Sequence, residues 1–147
     1  MIAIGSDHGG FELKSKVCAW LKENGYDFKD FGIYENKSVD YPDIAEVVCK
    51  SILSGACDRG ILICGTGIGI SIAANKFKGI RAAVCGDIYS AKMTKMHNNA
   101  NVITMGGRVI GEDTATEIVH AWLTAEFEGD RHMRRIQKIT DIENQMG

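Results

Sequence analysis

Four short runs of this chain, "MIAIG" (Met1 to Gly5), "RGILIC" (Arg59 to Cys64), "IRAAVC" (Ile80 to Cys85) and "NVITMG" (Asn101 to Gly106), are apolar almost without a break. A strand with one face in water alternates apolar and polar residues, so an unbroken run marks a strand covered on both faces. "DFKDFG" (Asp27 to Gly32) is more polar and reads as an edge strand. Between the runs, apolar residues recur at helical spacing: Leu13, Val17, Trp20 and Leu21; then Ile44, Val47, Val48 and Ile52; then Ala115, Ile118, Val119, Trp122 and Leu123. Each set makes one apolar stripe on a helix. Strand and helix in alternation predict an α/β fold, a parallel sheet with helices on both faces. A last helical segment, from about Arg131 to Asn144, carries Met133, Ile136, Ile139 and Ile142 and stands outside the alternation. With 147 residues, a single proline, no repeat and no linker, one domain over 1–147 is expected.

Charge and cysteine usage remove several classes of function. A net charge of -2 gives no footprint for nucleic acid. No apolar stretch nears the roughly 20 residues of a spanning helix, and "MIAIGSDHGG" lacks the basic start and long apolar core of a signal peptide. A cytoplasmic protein without a membrane partner is expected. Five cysteines, Cys18, Cys49, Cys57, Cys64 and Cys85, form an odd set with no CxxC pair. That suits neither a disulfide framework nor a zinc site, and no cluster of carboxylates and histidines suggests a required metal or cofactor.

In open parallel sheets, ligands collect beyond the carboxyl ends of the strands. The loops there read "SDHGG", "CGTGIGIS" and "GGR", and they hold Asp7, His8, Cys64, Thr66, Ser71 and Arg108. Gly65, Gly67 and Gly69 let the backbone approach a ligand and turn its N–H groups inward at the start of a helix, which makes an anion cradle. It is not a dinucleotide fingerprint, because the third glycine would fall on Ile70 or Ile72; no lysine completes a Walker loop; and a phosphatase's arginine would fall on Ile70. A cysteine at a helix start favours its thiolate, and a thiolate beside backbone donors is a base next to an oxyanion hole. That pairing suits proton abstraction next to a carbonyl. Each residue also has a plainer reading: Cys64 as a core thiol, Asp7 as an N-cap, His8 as a turn residue. His97 could complement a helix C-terminus, with Asn98 or Asn99 as a left-handed cap. Arg131 and Arg135, one turn apart, could clamp a phosphate or stand solvated.

Six segments, "SDHGG", "DYPDIA", "GILICGTGIGISIAANK", "GIRAAVC", "HNNANVITMGGRVIG" and "EGDRHMRRI", resemble the ribose-5-phosphate isomerase B family of the cysteine-dependent type, with its allose- and galactose-6-phosphate isomerase relatives. The resemblance runs nearly end to end, and the stretch from Gly60 to Lys76 is its most specific part. It implies a three-layer α/β/α sandwich, a Rossmann-like five-stranded parallel sheet in the order 2-1-3-5-4, and interconversion of D-ribose 5-phosphate with D-ribulose 5-phosphate. Carried over, Cys64 is the base moving a proton between C1 and C2, and His97 assists ring opening. Gly65, Thr66, Gly67, Ile68 and Gly69 form the loop that holds the enediolate, with the Thr66 hydroxyl near the reacting carbons. Asp7, His8, Tyr41, Asn98, Arg108, Arg131 and Arg135 bind the phosphorylated sugar, the arginines chiefly its phosphate. In one branch of the family a serine replaces the cysteine and a glutamate later in the loop is the base; Cys64 and the continuation Ile68, Gly69, Ile70 rule that branch out here. A hexose-6-phosphate isomerase is the alternative within the family, and a non-catalytic phosphosugar sensor the alternative outside it.

Chain direction adds one further expectation. A helix from about Asp87 to His97 rises ~15 Å back toward the amino edge of the sheet, away from the Cys64 of the same chain. A homodimer, or a dimer of dimers, with active sites shared between chains is therefore expected. Residues 130–147 are expected to lie as a helix against the partner.

Overall fold

The computed structural model describes residues 1–146. Five strands, β1 (Ile2–Ser6), β2 (Phe28–Asp30), β3 (Arg59–Cys64), β4 (Ala82–Val84) and β5 (Val102–Gly106), form one sheet in the order β2-β1-β3-β5-β4, and every pairing is parallel. Helices α1 (Phe11–Glu23), α2 (Tyr41–Leu53), α3 (Ile68–Ala74), α4 (Ile88–Met96) and α5 (Glu112–Thr124) connect or follow the strands, and α6 (Arg131–Gln145) closes the chain. The three layers and the strand order are those expected.

Period-two alternation along β3 divides the core. Ile61 and Ile63 point to the face covered by Leu13, Val17 and Leu21 of α1 and by Ala115, Ile118, Val119 and Trp122 of α5. Leu62 and Cys64 point to the other face, under Ile44, Ala45, Val48 and Cys49 of α2 and Ile70 and Ala74 of α3. The central isoleucines are fully buried, each stabilising the fold by about 1.5–3 kcal/mol relative to exposure. Trp122, at the end of the α5 stripe, satisfies its indole N–H on the Ala100 carbonyl at 3.2 Å.

Two sequence expectations need correction. "IRAAVC" is not a strand covered on both faces: β4 is short, lies at the sheet edge, and leaves Val84 exposed, because Ala82 and Ala83 are too small to anchor two covering helices. Val47 faces solvent, and Ala45 and Cys49 fill the stripe of α2 instead. In α6 only His132 and Ile136 are buried, while Met133, Ile139 and Ile142 remain about half exposed or more.

Lys14, between Leu13 and Val17 of the α1 stripe, is 2% exposed. Its ammonium donates to both carboxylate oxygens of Asp30, at 2.6 and 2.7 Å, and to the Ile33 carbonyl at 2.7 Å, so all three N–H groups are used. Asp30 also accepts from the Gly32 N–H at 2.9 Å. One buried cation thus ties α1 to the end of β2 and to the loop leading toward Tyr41. Lys14→Met, which keeps the apolar stem and removes the charge, is expected to lower stability by on the order of 2–4 kcal/mol in urea unfolding, since Asp30 loses its cation.

Candidate active site

Three loops meet at the carboxyl edge of the sheet. The backbone of β5 carries its pairing past the strand: the Gly107 N–H donates to the Cys64 carbonyl at 2.8 Å and the Arg108 N–H to the Gly65 carbonyl at 3.0 Å. The first loop is tied to the same place, with the Asp7 N–H on the Ile63 carbonyl at 3.3 Å. Gly67 makes the turn into α3 at φ +81°, and a β-carbon there would stand 2.7 Å from the Met105 backbone. Glycine is required on both counts. The Thr104 hydroxyl donates to the Gly67 carbonyl at 2.7 Å and holds the turn against β5.

Cys64 ends β3 with its side chain 5% exposed, and its Sγ accepts the Gly67 N–H at 3.1 Å. Burial pushes the Cys18 and Cys49 thiols up to about 11 and raises Cys85 as well, so those three stay protonated near neutrality. Thr66 is exposed, and its Oγ1 accepts the Ile68 N–H at 3.1 Å, which leaves the hydroxyl hydrogen free for a ligand. Ile68 is exposed at the lip. The Tyr41 ring lies against Gly69, close enough that a β-carbon would sit 2.7 Å from it, and the Arg108 side chain crosses Gly65.

Asp7 is 6% exposed and its Oδ1 accepts the Gly9 N–H at 2.9 Å, so it does cap the short 3-10 turn His8–Gly10. His8 accepts the Val39 N–H at Nδ1, 3.3 Å, which places the proton of the neutral ring on Nε2. Two clefts adjoin at His8, one walled by Asp7, Asp40 and Tyr41, the other by Glu12, Asn36 and Arg108. Glu12 and Asn36 carried no motif that would single them out, and Asp40 stood in "DYPDIA" without being named beside Tyr41.

The remaining candidates gather elsewhere. His97 is the C-cap of α4, and the Arg81 side chain donates to the Asn98 and Asn99 carbonyls from the start of β4. Asn99 takes the left-handed conformation, φ 43°. These residues stand at the amino edge of the sheet, where the Asn101 carbonyl accepts the Gly60 N–H. Six residues of β3 separate that edge from Cys64, a span of ~17 Å. Arg131 and Arg135, both exposed on the first turns of α6, belong to the same amino-edge group, because His132 between them stacks on His97 with ring centroids 4.2 Å apart. Burial, with His97 and Arg131 beside it, holds the His132 imidazole below its ordinary pKa. The candidate residues therefore fall into two groups: Asp7, His8, Tyr41, the Cys64 to Gly69 loop and Arg108 at one edge; His97, Asn98, Arg131 and Arg135 at the other.

A parallel sheet that offers a buried thiol, a glycine-lined turn of backbone donors, and an aspartate and histidine at its carboxyl edge defines a small α/β enzyme built for an anionic substrate. The chain belongs to the ribose/galactose isomerase family, whose pattern it matches over residues 2–139. It is 51% identical over 142 residues to ribose-5-phosphate isomerase B of Escherichia coli (strain K12), covering 97% of this chain and 95% of that one. Among solved structures, ribose-5-phosphate isomerase B of Clostridium thermocellum superposes with a TM-score of 0.97 at 55% identity, covering 99% of each chain. The Mycoplasma genitalium ribose-5-phosphate isomerase B with bound ribulose-5-phosphate superposes with a TM-score of 0.93 at 40% identity, covering 97% of this chain and 95% of that one.

Proposed function

We infer that the protein is an aldose–ketose isomerase that interconverts D-ribose 5-phosphate and D-ribulose 5-phosphate. The observation that carries the reading is the surroundings of Cys64: among the five thiols it is the one that closes a strand at the loop cluster and accepts a backbone N–H. In the forward direction the Cys64 thiolate takes the proton from C2 of the open-chain aldose. The C1–C2 enediolate forms with charge on O1, facing the N–H groups of the loop and the first turn of α3 other than those of Gly67 and Ile68, which Cys64 Sγ and Thr66 Oγ1 accept. The proton returns to C1, and the hydroxyl hydrogen passes from O2 to O1, beside the free hydrogen of Thr66. Positioned donors of this kind contribute about 3 kcal/mol each in a dry site.

His97 assists opening of the furanose ring, and Asn98 binds the sugar beside it. Their place at the amino edge, ~17 Å from the Cys64 of the same chain, supports a homodimer in which each chain completes the other's site. The half-exposed Met133, Ile139 and Ile142 on α6 supply an apolar face for the partner. A cytoplasmic location fits this chemistry, and among the described residues no helix is long and apolar enough to cross a membrane.

The reading is tested by assaying phosphorylated tetroses, pentoses and hexoses side by side with EDTA present. Ribose 5-phosphate is expected to turn over fastest; faster turnover of a hexose 6-phosphate would assign the enzyme to the hexose branch. Arg131 and Arg135 act through the phosphate, so replacing either with Ala is expected to raise KM for the phosphorylated sugar at least tenfold while barely changing the rate on the unphosphorylated one. Equal losses on both sugars would remove the arginines from the phosphate site.

A further inference from the structure

We propose that His97, Glu128 and His132 form a site for one transition-metal ion of the zinc type, and that its occupation shuts the isomerase. The segment between α5 and α6 is pinned to the end of α4 by the Glu128 N–H, which donates to the Met96 carbonyl at 3.0 Å. That bond brings the Glu128 carboxylate up to two imidazoles at once. Its Oε1 lies 3.7 Å from His97 Nε2 and its Oε2 3.8 Å from His132 Nε2, beyond hydrogen-bond length in both cases. One donor atom from each of the three residues lies within 4.8 Å of the others.

An independent observation marks the spot as incomplete. His132 is 4% exposed, and its Nε2 is buried with no hydrogen-bond partner among the described residues. A buried polar atom is rarely left without a partner in a native fold, and an ion is one of the groups that satisfies such an atom. Two imidazoles and a carboxylate are a recurrent ligand set for zinc, with a fourth position left to water.

The fit is close. Zinc bonded at about 2.0–2.1 Å in a tetrahedron needs donors roughly 3.4 Å apart, so the widest separation here must close by about 1.4 Å. His132 is a fixed anchor because it is buried, whereas His97 and Glu128 are 36% and 38% exposed and can swing inward. The same exposure gives an ion its way in.

Occupation removes the lone pair of His97 from proton transfer. The binding half of the proposal stands on geometry alone; the inhibitory half rests on the ring-opening role proposed above.

The experiment uses the whole chain, stripped with a chelator and dialysed, then titrated with zinc chloride against a chromophoric chelator, and with cobalt(II) for its visible bands. One ion per chain is expected. His132→Phe, which keeps the ring stack and removes the nitrogen, and Glu128→Ala, on an exposed side chain, are each expected to weaken binding more than about tenfold. Cys64→Ser is expected to bind as the parent does. Parent turnover should fall in step with occupancy and return with EDTA, and Glu128→Ala, measured against its own metal-free rate, should need proportionally more zinc. Absence of one-to-one binding, binding that survives in both His132→Phe and Glu128→Ala, or binding lost in Cys64→Ser overturns the site. Binding with the expected losses but no fall in turnover upholds the site and overturns the inhibition, and with it the ring-opening role of His97.

Discussion

Cys64→Ala is expected to fold as the parent does and to lose turnover by on the order of 10²–10⁴-fold, the range for removing a positioned acid or base. The side chain is small and its Sγ accepts only the Gly67 N–H, so the turn, held separately by the Thr104 hydroxyl, survives the change. Cys18→Ala and Cys57→Ala are the controls and should retain activity, since neither side chain reaches the loop cluster. Burial holds the Cys18 thiol near 11, which leaves little thiolate at neutral pH. Iodoacetamide should inactivate the parent in proportion to labelling of Cys64. Activity that survives full labelling there would remove Cys64 as the base.

The second large effect is a gain. Cys64→Ala and His97→Ala chains, each inactive alone, are expected to recover about a quarter of parental activity after being unfolded together and refolded. Random pairing makes half of the dimers mixed, and in each mixed dimer one site receives its intact Cys64 from one chain and its intact His97 from the other. The expectation follows from the sheet: β3 alone puts ~17 Å between the two edges, and no side chain bridges that distance. If mixed dimers form and no activity returns, both groups serve within one chain and the shared site is wrong.

What the sequence disclosed depended on whether the signal was local. The unbroken runs of β1, β3 and β5 and the stripes of α1 and α5 are local patterns, and they supply the core in the structure, with Trp20 and Leu123 only partly buried and Met1 exposed. "CGTGIGIS" was legible for the same reason, because a turn of this kind needs its glycines in sequence. Lys14 was not legible: nothing in "ELKSK" separates a lysine that ends on Asp30 and Ile33 from one in water. Nor was the contact of His132 with His97, which arises only because α5 delivers the chain to the amino edge and α6 begins there beside the end of α4. In "IRAAVC" the hydrophobic pattern was read without regard to size, and two alanines offer too little side chain to bury on both faces.

Under the shared site proposed above, the division of the candidate groups between opposite edges of one sheet makes catalysis a bimolecular property of the chain. Dilution below the dissociation constant of that dimer separates the two groups, so complete sites then scale with the square of chain concentration rather than with its first power. A substitution on the exposed face of α6 can in this way silence the reaction without touching a single group that meets the sugar.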